Sequence, residues 1–379
     1  MRLGQGHEVG IVSGHMTSGG RHILHVFPGF DSGGAQMRTV QLMGMMPAGT
    51  RHSILAMNGG YQFVTQVPDG VEVETLSAPP DRSFHGMGNF MADLLREKRP
   101  DAVMTYNWGS IEMVLGARRA RFTPLIHHED GFGPEESDRY LLRRIWIRRF
   151  LLRTATAVAV PSNTLRDLAI RRWRVPSARV HYLPNGVDLE RFTPGARMGG
   201  DSPLIIGHVG HLRPEKNQRL LIEAFARSAS RAYARLHLFG DGPEEDDLRQ
   251  LVRSLGVQDV VEFKGAVADT APVYREMDVF ALSSHTEQMP LTVLEAMASG
   301  LAIVSTDVGD VHAMVDPSNH NLVVAKANAD AFAGAIDRAV DDADLRRSVG
   351  DANRARCESE YDKHARYRAW VDLYDSLLS

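Results

Sequence analysis

Twice along the chain, in two stretches of similar length, short apolar runs alternate with segments of helical spacing. From His22 the runs are HILHVFP, SILAMN, VEVETL, AVMTYN, PLIHHE and AVAVPS. After residue 203 they are LIIGHVG, RLHLFG, VVEFKG, DVFALSS and AIVSTD, with stretches such as LLIEAFARSA and PLTVLEAMASG between them. Strands separated by helices cannot pair as hairpins, so the pattern implies parallel sheets covered on both faces. The intervening VHYLPNGVDLERFTPGARMGGDSPL is rich in Pro and Gly and has little periodicity, which suits a linker near residues 190–203. The expected architecture is α/β, with two doubly wound, Rossmann-like domains over 21–195 and 196–360 facing a cleft. Residues 361–379 read as an amphipathic helix with Tyr367, Trp370, Val371, Tyr374 and Leu378 on one face, crossing back to the first domain. Residues 1–20 read as a flexible extension. Ligands of such sheets bind beyond the carboxyl ends of the strands, so the loops there should carry the chemistry.

Composition excludes several functions. The 43 basic and 47 acidic residues leave a net charge of −4, with no electrostatic case for a nucleic-acid partner. A single cysteine, Cys357, excludes a disulfide framework and a cysteine zinc cluster. Asp342 and Asp344 read as a solvated helix cap and not as a metal motif. No apolar run approaches the ~18 residues of a membrane span, and the first residues lack the charged-then-apolar pattern of a secretory signal. The expected location is cytoplasmic, at most at the inner face of a membrane.

The motif with most chemical content is SSHTEQMPLTVLEAMASG, residues 283–300. Glu287 lies in a loop after a strand, and Glu295 lies about a turn into a helix. Pro290 suits the first helical position, leaving the N–H groups of Leu291 and Thr292 as a phosphate site. The two carboxylates could accept hydroxyl donors from a ribose and a sugar ring. Two glutamates at this spacing also read as a surface residue and a helix-face residue.

With other segments in order, the block resembles the E-x7-E signature of glycosyltransferase family 4, retaining enzymes of the GT-B fold. Those segments are DSGGAQ (31–36), LPNGVDLERFTP (183–194), VGHLRPEKNQ (209–218), LFGDGPEEDDL (238–248) and VVEFKG (260–265). The resemblance implies roles residue by residue. Gly33 and Gly34 would let backbone approach the diphosphate or acceptor, and Lys216, one of only five lysines, would place a positive charge on the diphosphate. Glu295 would bind the ribose hydroxyls and Glu287 the transferred sugar, with Phe263, Lys264 and Gly265 near the base. His127 or His128 would face the reaction centre; which of them does so stays open, and Asp130 could occupy the family position instead. The implied reaction is front-face transfer of a hexose-type sugar from a nucleoside diphosphate donor, a UDP-sugar before GDP-mannose. No metal and no cofactor beyond that co-substrate are implied. The acceptor would be a saccharide or lipid-linked molecule of cell-surface polysaccharide or glycolipid synthesis.

The sequence departs from the family pattern at two places. His211 stands where Arg is common, with Arg213 as the substitute guanidinium, and Gln288-Met289-Pro290 replaces a glycine-aromatic-glycine turn. These departures keep a non-catalytic sugar-nucleotide-binding protein in play, and a sugar-nucleotide epimerase of the same fold, binding the same donor without a second substrate, is a further reading. Finally, arginines at 139, 143, 144, 148, 149 and 153 are expected to form one basic helical stripe opposite Leu142, Ile145 and Trp146. Such a stripe is either a solvated face or a peripheral contact with anionic lipid through 139–153.

Overall fold

The computed structural model describes residues 20–31, 33–80, 82–132, 136, 140–195, 202–325 and 328–378. The expected extension over 1–20 lies, Gly20 apart, outside the described residues, and so does the stretch 196–201 at the expected domain boundary.

One sheet is built from β1 (His22–Phe27), β2 (Arg51–Ala56), β3 (Glu72–Leu76), β4 (Ala102–Tyr106), β5 (Leu125–His128), β6 (Ala157–Val160) and β7 (Val180–Tyr182). Between its strands run α1 (Gly34–Met43), α2 (Phe84–Lys98), α3 (Ile111–Ala120), α4 (Leu142–Leu151) and α5 (Asn163–Arg171). The second sheet contains β8 (Leu204–Val209), β9 (Ala234–Phe239), β10 (Val261–Gly265), β11 (Val279–Leu282), β12 (Ala302–Thr306) and β13 (Val323–Val324). Its connections hold α6 (Gln218–Arg227), α7 (Glu245–Ser254), α8 (Ala271–Arg275), α9 (Leu291–Ala298), α10 (Val311–Met314) and α11 (Ala329–Asp341). The chain ends in α12 (Ala343–Glu360) and α13 (Lys363–Leu378).

The strand orders are β3-β2-β1-β4-β5-β6-β7 and β10-β9-β8-β11-β12-β13. Every named strand pair is parallel. Central strands such as AVMTY of β4, VFAL of β11 and AIVST of β12 are buried along their whole length, as near-continuous apolar runs must be in a sheet covered on both sides. The order reverses at β1, which lies between β2 and β4, and at β8, which lies between β9 and β11. Successive crossovers therefore leave each of these strands on opposite sides, which opens a crevice at its carboxyl end.

The helix α13 closes the open face of the first sheet. Its Tyr367, Trp370 and Tyr374 are buried with Ile23, Phe27, Met104 and Tyr106. Phe27 and Tyr106 stack at 3.8 Å between ring centroids, Tyr106 and His128 at 4.6 Å, and His128 and Trp370 at 5.5 Å. His128 belongs inside this column because both of its nitrogens are satisfied there. Its Nδ1–H donates to the Thr105 carbonyl at 3.1 Å, and Nε2 accepts from the Tyr374 hydroxyl at 2.9 Å. A second histidine pair lies nearby, with His25 Nε2 and His52 Nδ1 3.0 Å apart and the Tyr106 hydroxyl 3.0 Å from His25 Nδ1.

These histidines make stability pH-dependent. Burial holds the pKa of His25 and His128 well below 6.5 and lowers those of His52 and His208 to about 4. Unfolded histidines take up protons near pH 6.5, whereas the folded ones stay neutral until far lower pH. Stability is therefore present above about pH 6.5 and lost as pH falls, by on the order of 1 kcal/mol per histidine per pH unit. Urea unfolding at about pH 7.5 and about pH 5.5 should differ by several kcal/mol, with the lower stability at the lower pH. Equal stability at both would contradict the neutral, buried state of these rings.

Candidate active site

The loops after β1, β4 and β5 meet those after β8, β10 and β11 around a cleft of about 850 Å³. Two helix N-termini point into it from opposite sides. The helix α1 begins after Gly33 and α9 after Pro290; neither has a side-chain cap, and neither carries an acidic residue in its first turn. Their leading N–H groups and dipoles thus remain available to an anion. The two ends approach closely enough that a Cβ on Gly34 would sit 3.4 Å from Leu291 Cδ1. Arg213 and Lys216 border the same cavity. Two helix N-termini and two basic side chains thus border one cavity, with Lys216 paired to Glu287 and Arg213 to Glu215.

The two glutamates of the 283–300 block both line the cleft, in different settings. Glu287 accepts from Lys216 Nζ at 2.6 Å and from the Ser284 hydroxyl at 2.8 Å, both on Oε1. Its backbone is held by Gly309, whose φ of +56° favours glycine and where a Cβ would stand 2.5 Å from the Glu287 and Gln288 carbonyl oxygens. Glu295 accepts from the buried Tyr274 hydroxyl at 2.8 Å. Burial pushes the Glu295 carboxyl up to about 7, against the opposing pull of the Tyr274 hydrogen bond and Arg191.

Across the cleft, Asp130 projects from the loop after β5. Its partner is Arg38 of α1, which is fully buried. Arg38 Nη1 lies 2.6 Å from Asp130 Oδ1, and Nη2 donates to Oδ2 at 2.9 Å. Nη1 also donates to Asn185 Oδ1 at 3.0 Å, and the guanidinium sits 4.4 Å from the Trp370 ring centroid. Burial opposes the charge on Arg38, but Asp130 beside it more than compensates and raises its pKa. The Asn107 side chain accepts from the Asp130 backbone N–H at 2.7 Å, which fixes the loop. Arg38 is an arginine on the same helical face as Leu42, and that placement in MRTVQLM is the signal by which the sequence could have disclosed it.

Gly33, Gly34, Arg213, Lys216, Glu287, Pro290, Leu291, Thr292 and Glu295 all border the cleft. The two histidines do not. His127 and His128, expected at the reaction centre, are fully buried core residues. His127 Nδ1 is 2.8 Å from the Thr105 hydroxyl, and its other nitrogen faces the buried Glu129. Strand alternation sends the two rings to opposite faces of the sheet, and Asp130 is the residue of this segment that reaches the cavity. Phe263, Lys264 and Gly265 do not line the cavity, which this segment borders through Ala268 and Thr270. Phe263 lies under the Arg249 guanidinium at 4.4 Å, Lys264 pairs with Glu262 at 2.5 Å, and the Gly265 carbonyl accepts from the Gly240 N–H.

The expected arginine stripe is split. Arg139 lies outside the described residues. Arg148 is buried, with its guanidinium on Glu129 and Glu136 at 3.1 and 3.0 Å and beside Trp108, Phe132 and Trp173. Arg144 also pairs with Glu136, at 3.3 Å, and borders the cleft. The two acids behind β5 pull this side of α4 inward, so Leu142 and Trp146 turn outward instead of packing.

Of the two departures from the family pattern, the Gln288-Met289-Pro290 turn makes interdomain contacts, whereas His211 faces Asp241 within its own domain. The Gln288 side chain accepts from the Ser162 hydroxyl at 3.2 Å, and the Met289 carbonyl accepts from Asn185 Nδ2 at 3.1 Å. Asp310, which follows this loop in space, accepts from the N–H groups of Asn163 and Thr164 at the start of α5.

Two family models match the chain. Residues 5–186 match the Glycosyl transferase 4-like domain, and residues 203–342 match Glycosyl transferases group 1. The chain belongs to the group 1 glycosyltransferases, and its two parallel-sheet domains have the GT-B fold. It is similar to the UDP-Gal:alpha-D-GlcNAc-diphosphoundecaprenol alpha-1,3-galactosyltransferase of Escherichia coli, at 27% identity over 66% of this chain and 68% of that one. Similarity to the D-inositol 3-phosphate glycosyltransferase of Actinosynnema mirum is 29% over 83% of each. Among solved structures, Anabaena Alr3699/HepE in complex with UDP superposes with a TM-score of 0.80 at 19% identity, covering 94% of this chain and 100% of that one. For sucrose-phosphate synthase from Thermosynechococcus elongatus the values are 0.78, 22%, 94% and 99%.

Removing Arg38 should expose how much rests on it. Arg38→Ala leaves Asp130 without its buried partner and Trp370 without its cation, at a cost of about 3–5 kcal/mol. Chemical denaturation measures this directly, and a cost below about 1 kcal/mol would show the pair to be dispensable.

Proposed function

We propose that this glycosyltransferase moves a hexose-type sugar from a nucleoside diphosphate donor, with a UDP-sugar as the first choice, to a saccharide or lipid-linked acceptor. The configuration at the anomeric carbon is retained, and no resident metal takes part. The observation that carries the reading is the pair of uncapped helix N-termini facing each other with Arg213 and Lys216 beside them. A diphosphate has the charge and length to engage both ends at once. The names of the relatives agree: one is a UDP-Gal transferase acting on a diphosphoundecaprenol sugar, and HepE was solved with UDP and with UDP-glucose.

In this reading the bond from C1 of the sugar to the β-phosphate oxygen breaks, and its electron pair stays on the phosphate. The acceptor oxygen bonds to C1 on the same face, and its proton passes to that phosphate oxygen. Lys216, Arg213 and the leading N–H groups of α9 meet the charge that accumulates on the leaving diphosphate. Glu287, fixed by Lys216 and Ser284, accepts from hydroxyls of the transferred sugar. Asp130 has its carboxylate oriented by Arg38 and offers its remaining lone pairs to a hydroxyl of the sugar or the acceptor. Glu295 accepts from the ribose hydroxyls.

Lys216→Ala and Glu287→Ala should each lower transfer by about 10²–10³-fold, the scale of losing one transition-state donor or its orienting partner. Far-ultraviolet circular dichroism and Tm should stay close to those of the parent. Assays with a panel of nucleotide sugars, each with and without acceptors, measure this. Near-parental transfer in both variants, or conversion of donor alone into another sugar nucleotide, would sink the proposal.

The Glu295 carboxyl supplies a separate test. Ribose hydroxyls donate, so the donor selects the ionised carboxylate, and with a pKa of about 7 that form is depleted as pH falls. UDP affinity measured calorimetrically should therefore rise about tenfold between about pH 6 and about pH 8. Glu295→Gln should flatten that dependence. A parental affinity that does not change with pH would remove Glu295 from the nucleotide site.

A further inference from the structure

We infer that the outer face of α4 is a docking surface for an anionic lipid bilayer and sets the cleft at the membrane, where a lipid-linked acceptor would be met. This deepens the proposed function and, as to the acceptor, rests on it. The surface itself rests on geometry. Leu142, Trp146 and Phe150 recur every four residues along α4 and are 73, 63 and 60% exposed. Of the large apolar side chains on the described surface, these three are the most exposed, and all stand on one face of one helix. At ~100° per residue, Arg143 falls on one flank of this stripe and Arg149 on the other. The Arg149 guanidinium lies 5.1 Å from the Trp146 ring centroid, and that of Arg118, reaching over from α3, lies 4.0 Å from the Phe150 ring centroid.

An apolar ridge with cations on both flanks fits the boundary between headgroups and acyl chains, where the ridge enters the apolar layer and the guanidinium groups meet phosphates. Beyond Phe150 a cavity of about 200 Å³ continues the surface, with Val114, Phe122 and Leu125 in its wall and Arg118 and Arg121 among its lining. It pairs apolar depth with basic residues, as the ridge does.

A second copy of the chain fits less well. Related by a twofold axis, two such faces would bring Arg143, Arg149 and Arg118 against their own copies. Three side chains also bury only about half of the ~800 Å² per partner that a stable interface takes. The orientation is functional, because the opposite side of α4 supplies Arg144 to the cleft and buries Arg148 under it.

The test is co-sedimentation of the full chain with phosphatidylcholine vesicles with or without phosphatidylglycerol, alongside UDP binding by calorimetry on the same preparation. The protein should pellet with the anionic vesicles and not with the neutral ones. Arg143→Glu combined with Arg149→Glu should lower partitioning by at least about thirtyfold, at roughly fivefold for each of the two cations lost. Trp146→Ser combined with Phe150→Ser should lower it by at least about tenfold. All four side chains are at the surface, so Tm should be retained. Trp146 fluorescence should shift to the blue on anionic vesicles, a shift absent from Trp146→Phe. Failure to bind anionic vesicles, binding indifferent to both double substitutions, or a dimer in solution that Trp146→Ser dissolves would each overturn the inference. Lost vesicle binding with intact UDP binding rejects the surface alone; absent UDP binding with intact vesicle binding rejects the donor reading alone.

Discussion

The buried guanidinium of Arg38 is the constraint from which most of the site's geometry follows. A charge in a closed core is tolerated only where its partners are fixed, since an unpaired one costs several kcal/mol. Arg38 has partners from three parts of the chain: Asp130 from the loop after β5, Asn185 from the segment after β7, and the face of Trp370 from α13. Each is thereby tied to α1, the helix whose N-terminus opens the cleft. The column of Phe27, Tyr106, His128 and Trp370 stands beside it, so the aromatic core and the polar floor of the site share one wall. The last helix is therefore part of what holds the first domain's half of the site in place.

From Arg38 the polar chain continues across the domain boundary. Asn185 accepts from Arg38 and donates to the Met289 carbonyl, in the loop that carries Glu287 and leads into α9. The Gln288 side chain and Asp310 dock the same region on the start of α5, where Ser162 caps the Leu165 N–H and Asp310 accepts from the two leading N–H groups before it. The loop that leads into α9 is thus registered against the first domain by hydrogen bonds that have direction and length. In this light the replacement of a glycine-aromatic-glycine turn by Gln288-Met289-Pro290 exchanges backbone freedom for interdomain contacts. Pro290 still leaves the first N–H groups of α9 to a ligand, because the missing donor is one that a helix start does not use.

The fold was legible in the sequence because hydrophobic periodicity reports directly on what a parallel sheet needs: AVMTY and VFAL are buried strands for the same reason that they are apolar runs. That Gly33, Gly34, Lys216, Pro290 and Glu295 border one cleft was legible too, since they sit in loops and first helical turns whose position a strand–helix alternation already sets. What the sequence could not disclose was direction. His127 and His128 adjoin the loop that reaches the cleft, but the pleat turns one toward Glu129 and the other toward Trp370, and only Asp130 is past the strand end. The arginines of α4 defeated a reading by charge alone, because Glu129 and Glu136, both buried, draw Arg144 and Arg148 inward. Tertiary carboxylates decided which face of that helix is the inside.

That inversion shows how little the net charge of the chain says about where charge acts. The arginines at 38 and 148 are consumed in the interior by carboxylates that exist to receive them, and neither contributes to the field outside. Those at 143 and 149 are on the same helix as Arg148, turned from it by about 140° and about 100°, on the two flanks of the outer face. The inner face of this helix mixes Ile145, Ile147 and Leu151 with a buried cation while its outer face is apolar, and burying Arg148 against Glu129 and Glu136 carries a desolvation cost that a wholly apolar inner face would avoid. Turning α4 over would pack Trp146 and Phe150 but take Ile145, Ile147 and Leu151 off the core. It would also leave Glu129 and Glu136 without their cation and remove Arg144 from the cleft wall. The two buried acids therefore hold α4 in the orientation that leaves its apolar ridge outside, and the exposure of that ridge follows from how the cleft is built.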